Sequence, residues 1–484
     1  MGSQQQGCDV IADLKPYAEY KDSGLPWLGA VPAHWHIARS KRLFTPRNEL
    51  ARSDDVQLSA TQAYGVIAQS LYEERSGYRV VKLSMHLDKR RHVEADDFVI
   101  SMRSFQGGLE RAWSTGAIRS SYVVLKPGTE MDPKYFQYLF KSAPYIAALR
   151  ATGDFIRDGQ DLNFSNFCKV DLPLIPIAEQ AAIGHFLDWT NGRMERTIRA
   201  KRKVIALLME QKQAVIRRAV TCGLNLDAPQ KPTGLPWLGD IPQHWEVRRL
   251  RTLVRSIDQG VSPQAAGFLA EGESWGVLKS GCVNRGVFRE TEHKRLASSF
   301  SIDPAIVVAI GDVLISRACG SPSLVGSVGR VNALRYRLIL SDKTFRVSFH
   351  DSVDADFMVR AMNCRYYRDQ VEAAISGAEG MANNLPLSAL KDFRFALPPK
   401  AEAQEIAKRI GLETLALDKR VASLEREIQV LREYGTRLVA DVVTGKLDVR
   451  ELTSHLPDEA IVGLARGLAD DTEDNQFTDE ETEA

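Results

Sequence analysis

A phrase of twelve residues stands in this chain twice, without a gap. Gly24-Leu25-Pro26-Trp27-Leu28-Gly29-Ala30-Val31-Pro32-Ala33-His34-Trp35 returns as Gly234-Leu235-Pro236-Trp237-Leu238-Gly239-Asp240-Ile241-Pro242-Gln243-His244-Trp245. A second pair lies downstream of each. The stretch from Pro176-Ile177-Ala178-Glu179 to Ala219-Val220-Thr221 matches that from Pro399-Lys400-Ala401-Glu402 to Val442-Val443-Thr444. Solenoid units recur every few dozen residues and stack on their neighbours; a repeat this long is a duplicated domain-plus-helix module. Two copies in one chain present two similar faces, which suits a partner that itself has two halves.

Mixed and helical blocks alternate between these marks. From about Ile37 to Leu174, short β-rich runs such as Asp97-Phe98-Val99-Ile100-Ser101 and Ser121-Tyr122-Val123-Val124-Leu125 sit among turn residues. Ile183 to Thr221 reads as helix, Val247 to Leu397 as a second mixed block, and Ile406 to Thr444 as a second helix. The mixed blocks echo each other faintly, Asp97–Ser101 against Asp312-Val313-Leu314-Ile315-Ser316, and otherwise diverge. A frame kept while the domains differ implies that the domains read different things.

Both helical blocks carry a heptad seam. In the second it runs Leu417, Val421, Leu424, Ile428, Leu431, Gly435, Leu438, Val442; in the first, Met194, Ile198, Lys201, Ile205, Leu208, Lys212, Val215, Ala219. Lys201, Lys212 and Gly435 interrupt it, so each helix is a weak coiled coil alone and packing on the other is expected to bury the stripe. Helices of about 25 to 30 residues would span roughly 40 Å. Pro173, Pro176, Pro398 and Pro399 are expected to mark the helix entries, and Asn191-Gly192 to break the first helix in two. The division expected is a tail at 1–16, a mixed domain at 17–174, a helical spacer at 175–226, a second domain at 227–397, a second spacer at 398–450 and an acidic tail at 451–484.

At 484 residues the chain supports two or more cores. Its net charge of +1 conceals a basic body: the eight acids from Asp470 to Glu483 leave +9 on the remainder. A basic body with an acidic tail is compatible with nucleic-acid binding, and equally with a solvated surface and a solubilising tail. Six scattered cysteines with no Cys-x-x-Cys pair point to reduced thiols and a cytoplasmic setting. No apolar run reaches membrane-spanning length and no secretory pattern opens the chain.

No catalytic signature holds. Thr444-Gly445-Lys446-Leu447 lacks the upstream glycine and the hydroxyl of a phosphate loop, and Gly326-Ser327-Val328-Gly329 reads as a turn. The Asn/Asp-Pro-Pro-aromatic motif of amino-methyltransferases is missing. His34 and His244 recur in Pro-x-His-Trp, where a structural role is favoured over a catalytic one. Polar loops offer nucleic-acid contacts instead. Arg103, Ser104 and Gln106 follow a predicted strand; Arg157, Gln160 and Asn163 lie in a second loop. The second domain has Arg317 and Ser321, then Asn383 and Asn384, with Lys279 as a further cation. Arginine and the amides make bidentate contacts to guanine and adenine edges. A solvated loop is the bland reading of any one of these residues. Their paired occurrence in both repeats lifts the group above it.

These motifs together resemble the specificity subunit of type I restriction–modification systems. The resemblance rests on the tandem Gly-Leu-Pro-Trp-Leu-Gly-x-x-Pro-x-His-Trp, the strand-then-Ile-Ser-(x)-Arg loops and the Pro-x-Ala-Glu entries to long helices, and covers about Tyr17 to Arg450. One departure is Met102 where the second copy has Arg317 directly after Ile-Ser, with Arg103 adjacent. The resemblance implies an α+β fold: two pseudo-symmetric mixed α/β target-recognition domains separated by two long antiparallel, coiled-coil helices that act as a ruler. It implies a non-catalytic chain, each domain reading half of a split site in double-stranded DNA. Its implied partners are two methyltransferase subunits with S-adenosylmethionine, and restriction–translocase subunits with ATP and Mg. A methyltransferase or nuclease with degenerate motifs, and a coiled-coil scaffold, are the competing readings. The scaffold leaves the two diverged domains unexplained.

Overall fold

The computed structural model describes residues 14–77, 80, 89–101, 104–153, 162–225, 227–375 and 383–457, with Arg285 described by its backbone alone. The acidic run from Asp470 lies outside the described residues. Contacts divide the chain into two compact units, Met1–Arg202 with Glu425–Ala484, and Lys203–Leu424. Each unit therefore contains one mixed domain, the first part of the long helix that follows it, and the last part of the other long helix.

The first unit is built on four antiparallel strands, β1 (Phe44–Pro46), β2 (Phe98–Ile100), β3 (Glu110–Arg111) and β4 (Val123–Pro127), in the order β1-β4-β2-β3. The second has β5 (Val254–Gln259), β6 (Val313–Ser316), β7 (Val328–Arg330) and β8 (Thr344–Phe349), in the order β5-β8-β6-β7. The topology is identical. The faint Asp97–Ser101 and Asp312–Ser316 echo marks the same inner strand, β2 and β6.

Successive side chains of a strand face opposite ways. Phe98 and Ile100 accordingly join a core with Phe44, Phe136 and Phe140, while Val99 joins a second core with Leu58, Val66 and Val93. In the second unit Val313 and Ile315 face one core and Leu314 the other. Burial on both faces is why these strands read as unbroken apolar runs. The second cores are where the units differ. In the first, a small hairpin, Leu58–Thr61 with Gly65–Ala68, and a second antiparallel strand pair, Arg91–Val93 with Gly116–Ile118, build it. In the second it is a four-stranded sheet that includes a parallel pair, Trp275–Leu278 with Arg337–Ile339.

After each sheet come two helices, α1 (Pro133–Lys141) and α2 (Ala143–Arg150) in the first unit. The long α3 (Ile177–Cys222) follows. The second unit repeats the order with α4 (Ala355–Ala361), α5 (Arg365–Ala374) and α6 (Lys400–Val443). Asp132 and Asp354 cap α1 and α4, accepting the backbone N–H of Lys134 and Phe357 at 2.8 Å each. A strand before each long helix, Leu172–Leu174 or Arg394–Leu397, pairs with the strand after each His-Trp, His36–Ala38 or Glu246–Arg249.

That pairing sets the repeated tryptophan against the first turn of its long helix. The Trp35 ring N–H donates to Glu179 Oε1 at 2.9 Å, and His34 Nε2 lies 2.7 Å from Glu179 Oε2. Tyr17 also donates its hydroxyl to Glu179 Oε1, at 2.8 Å. Burial and the carboxylate push the Tyr17 pKa well up, so it stays a donor. In the second unit Trp245 donates to Glu402 Oε1 at 3.1 Å and His244 Nε2 lies 2.7 Å from Oε2. A carboxylate in the first turn also meets the positive end of the helix dipole. The repeated histidines are thus structural groups. The far end of the other long helix closes on the same tryptophan. Gly445 has φ +77° and a Cβ there would lie 2.5 Å from Pro32 and 2.9 Å from the Trp35 ring. Gly223, at φ +73°, faces Trp245 and Pro242 more loosely, where a Cβ would lie 3.3 and 3.8 Å away.

Within each unit the helix segments run antiparallel. Lys201 pairs with Glu427 in the first, and Lys212 Nζ lies 2.5 Å from Asp418 Oδ1 in the second. Met194 fills the space at Gly435. Every interruption of the heptad seam therefore has a partner. Several expectations are corrected. The helices have 46 and 44 residues, about 69 and 66 Å at 1.5 Å each, because the residues that follow Pro176 and Pro399 are themselves helical. Asn191-Gly192 does not break α3: interior glycine costs only about 1 kcal/mol, and the surrounding turn is held by Thr190 burial and the Arg193–Trp189 stack. Pro173 lies inside a strand rather than at the helix entry. The pairs above place Ala206 opposite position 423, not Gln429.

Glu179→Ala leaves two buried donors, Trp35 Nε1 and the Tyr17 hydroxyl, without a partner; an orphaned buried donor costs about 1–3 kcal/mol. It should destabilise its unit by about 2–5 kcal/mol. Glu402→Ala orphans only Trp245 and should cost about 1–3 kcal/mol. Calorimetric melting of both variants checks the order, and equal losses would contradict it.

Candidate nucleic-acid interface

In the second unit the chain turns sharply after β6. Ala318–Cys319 pairs antiparallel with Asn383–Asn384, uniting two polar stretches far apart in sequence. Asn383 Nδ2 donates to the Gly320 carbonyl at 3.5 Å. Arg317 is half-buried at the base of this turn. Its Nη1 donates to the Asp342 carbonyl at 3.0 Å and its guanidinium lies 5.7 Å from the Phe345 ring. Ser321 Oγ lies 2.9 Å from Ser323 Oγ. The structure thus gathers Arg317, Ser321, Asn383 and Asn384 at one end of the sheet. Lys279 precedes the turn Ser280–Gly286, which packs on β7 and on Ala318–Cys319, and its Nζ lies 3.7 Å from Glu292.

Arg368 on α5 braces that loop. Its Nη2 donates to the Pro322 carbonyl at 3.0 Å, its Nη1 to Ser323 at 3.2 Å and to Val325, and its Nε to Glu372 at 3.2 Å. Sequence reading missed this residue because its contacts to the loop are to backbone carbonyls, which leave no pattern.

The first unit repeats the placement with different chemistry. After β2, Ser101 donates its N–H to Ser104 Oγ at 2.9 Å and the chain enters the short helix Ser104–Gly107. Ser104 is buried, so its hydroxyl serves the turn and presents nothing to a ligand. Gln106 on the same turn is exposed. Arg150 holds the turn from α2, donating to the Phe105 carbonyl at 3.2 Å. Gly108 (φ +79°) lets the chain pass under α1, where a Cβ would lie 1.9 Å from the Phe140 carbonyl oxygen. Asn163 Oδ1 accepts the N–H groups of Ser165 and Asn166 at 2.9 and 3.2 Å, capping the helix Phe164–Cys168. That commits its oxygen to the fold, although Asn163 also lines an open groove of about 470 Å³ with Asn48, Arg91, Val123 and Phe164. Arg103, Arg157 and Gln160 lie outside the described residues.

A buried ion cluster stiffens this side of the first unit. Arg47 donates to Asp97 at 2.7 and 3.1 Å, to Glu49 at 2.9 Å and to Glu94 at 2.7 Å. Burial raises the Asp97 pKa, with the Arg47 hydrogen bonds opposing it. Among the described residues no group of His, Cys, Asp or Glu is arranged to hold a metal ion, and no helix is long and apolar enough to cross a membrane.

The comparisons point one way. The EcoEI specificity subunit of Escherichia coli is 33% identical over 166 residues, 34% of this chain and 27% of that protein. The MjaVIII specificity subunit of Methanocaldococcus jannaschii is 22% identical over 342 residues, 70% of this chain and 76% of that one. A chain from a structure of a type I restriction–modification system, 15% identical, shares the fold with a TM-score of 0.55 over 86% of this chain and 99% of its own. This chain is similar to the specificity subunits of type I restriction enzymes. No family profile matches it. The expected α+β class of the type I specificity-subunit fold is observed, and its pseudo-symmetry is sharper in strand order than in sequence.

Arg368→Met removes the brace while keeping the stem of the side chain. Amide exchange over residues 321–327 should rise several-fold with the melting temperature nearly unchanged. Unaltered exchange would show that the loop holds itself.

Proposed function

We propose that this chain is the DNA sequence-specificity subunit of a type I restriction–modification complex. It reads a bipartite site in double-stranded DNA with its two mixed domains and carries no catalytic site of its own. One observation supports this above others. The two units share strand order and the Trp–Glu closure, while their second cores and the polar loops after β2 and β6 differ. A frame held constant under variable loops suits reading two different half-sequences. Gln106, Ser321, Asn383, Asn384, Lys279 and the half-buried Arg317, with Arg103, Arg157 and Gln160, form the proposed reading surface. Base edges supply the sequence information while phosphate contacts fix position. Two methyltransferase subunits bearing S-adenosylmethionine, and restriction subunits using ATP and Mg, complete the proposed cytoplasmic complex.

Methylome sequencing of a host carrying this chain with its partner subunits tests the proposal directly. A split methylated motif is expected. S-adenosylmethionine bound by the isolated chain would favour the methyltransferase reading instead. Exchanging Val247–Leu397 for the equivalent domain of a relative should change one half-site only; a change in both, or in neither, would refute modular reading.

The paired helices are proposed to set the gap between half-sites. Inserting one heptad after Ala206 and another after Ser423, which the register places opposite, keeps the seam aligned and adds about 10 Å. That equals roughly three base pairs at 3.4 Å each. Selection from a library of randomised spacings should return the same half-sequences with a longer gap. A folded insertion variant that kept the original gap would show that the helices are not the ruler.

A further inference from the structure

Four cations of the first unit stand together with no described carboxylate to neutralise them. Lys89, Arg90 and Arg91 lead into the strand Arg91–Val93, whose antiparallel partner Gly116–Ile118 sets Ile118 opposite Arg91 and brings in Arg119. Lys89 and Arg119 are exposed and Arg91 half-exposed. Arg91 reaches only neutral oxygens, the Ser120 carbonyl at 3.4 Å and Asn48 Oδ1 at 3.3 Å. The nearby acids are already engaged: Glu49 and Glu94 by Arg47 and Arg52, Asp97 by Arg47, and Asp55 by His92. Beneath the patch the Arg90 pKa is lowered, first by burial and then by Arg119.

Like charges gathered without counter-ions among the described residues repel, and such a patch focuses a positive potential on its surroundings. The patch borders the open groove lined by Arg91 and Asn163. Its counterpart in the second unit is apolar. Counting back six residues from Asp312, as from Asp97 to Arg91, gives Ile306-Val307-Val308. The charge at this position is therefore no part of the shared frame. Amide side chains suited to an adenine edge are not its main feature; cations gathered at the end of a strand pair match the charged backbone of a duplex.

We propose that Lys89, Arg91 and Arg119 form a clamp for the backbone phosphates of duplex DNA at the first half-site, positioning the first domain without reading sequence. This rests on the DNA-reading function above.

The test uses Lys89→Gln, Arg119→Gln and the double variant in the full chain, purified with its methyltransferase partners. Binding to a random-sequence duplex and to a duplex bearing the mapped motif is measured across salt concentrations. Each substitution should lower the slope of log affinity against log salt by about 0.9. Both duplexes should weaken by the same factor, with the melting temperature and the methylated motif unchanged, and Arg91→Lys should retain the wild-type slope. An unchanged slope in the double variant, or a loss confined to the mapped motif, would overturn the clamp. Failure of the wild-type complex to bind either duplex would instead overturn the DNA-reading function on which it rests.

Discussion

The closure of a tryptophan on a glutamate governs the rest of the structure. Glu179 and Glu402 stand in the first turn of the two long helices, and each takes a buried indole N–H and an imidazole from the Pro-x-His-Trp of its own repeat. The last turn of the opposite helix ends in a left-handed glycine that fits against the same indole. One side chain thus fixes where one helix begins and where the other stops. Antiparallel pairing follows from that, because the two helices must pass the same ring in opposite senses. The closures differ in depth: Tyr17 adds a third donor in the first unit, and Arg450 lies 5.0 Å from its ring.

On this frame the units diverge by layer. The four-stranded sheets and the cores beneath them keep strand order, caps and helix sequence. The second cores are built from unrelated pieces, two-stranded pairs in one and a partly parallel sheet in the other. A sheet buried on both faces permits this, since one face answers to the conserved helices and the other to whatever covers it. The variable layer and the loops at the ends of β2 and β6 are then free to change without disturbing helix pairing.

The parts most legible in sequence are those governed by local periodicity or by exact repetition. The seam from Leu417 to Val442 and the apolar runs at Asp97 and Asp312 declare themselves through spacing alone. The partnership of Trp35 with Glu179 could not be read, because nothing in either motif states which residue 144 positions away it meets. Helix length was underestimated because Pro176 and Pro399 signal an entry while the weakly apolar turns after them carry little periodic signal. Among candidate site residues, Ser104 and Asn163 have side chains equally suited to a ligand or to a neighbouring N–H, and the fold uses them for the latter. Arg368 and Arg150 work through carbonyl oxygens, so only three-dimensional proximity reveals them.

The seam charges carry a consequence for self-recognition. Duplication makes the two long helices similar enough that each is a plausible partner for a second copy of itself. Yet in α3 the position equivalent to Glu427 is Val204, so pairing with its own copy would leave Lys201 without a counter-charge. In α6 the positions equivalent to Lys201 and Lys212 are Leu424 and Gly435, so self-pairing would strand both Glu427 and Asp418. Facing a charge across an apolar seam without its opposite is costly, and single polar seam positions are known to select partners in coiled coils. The helices have been made unlike at just the positions where they touch. Each is thereby matched to the other helix rather than to a second copy of itself.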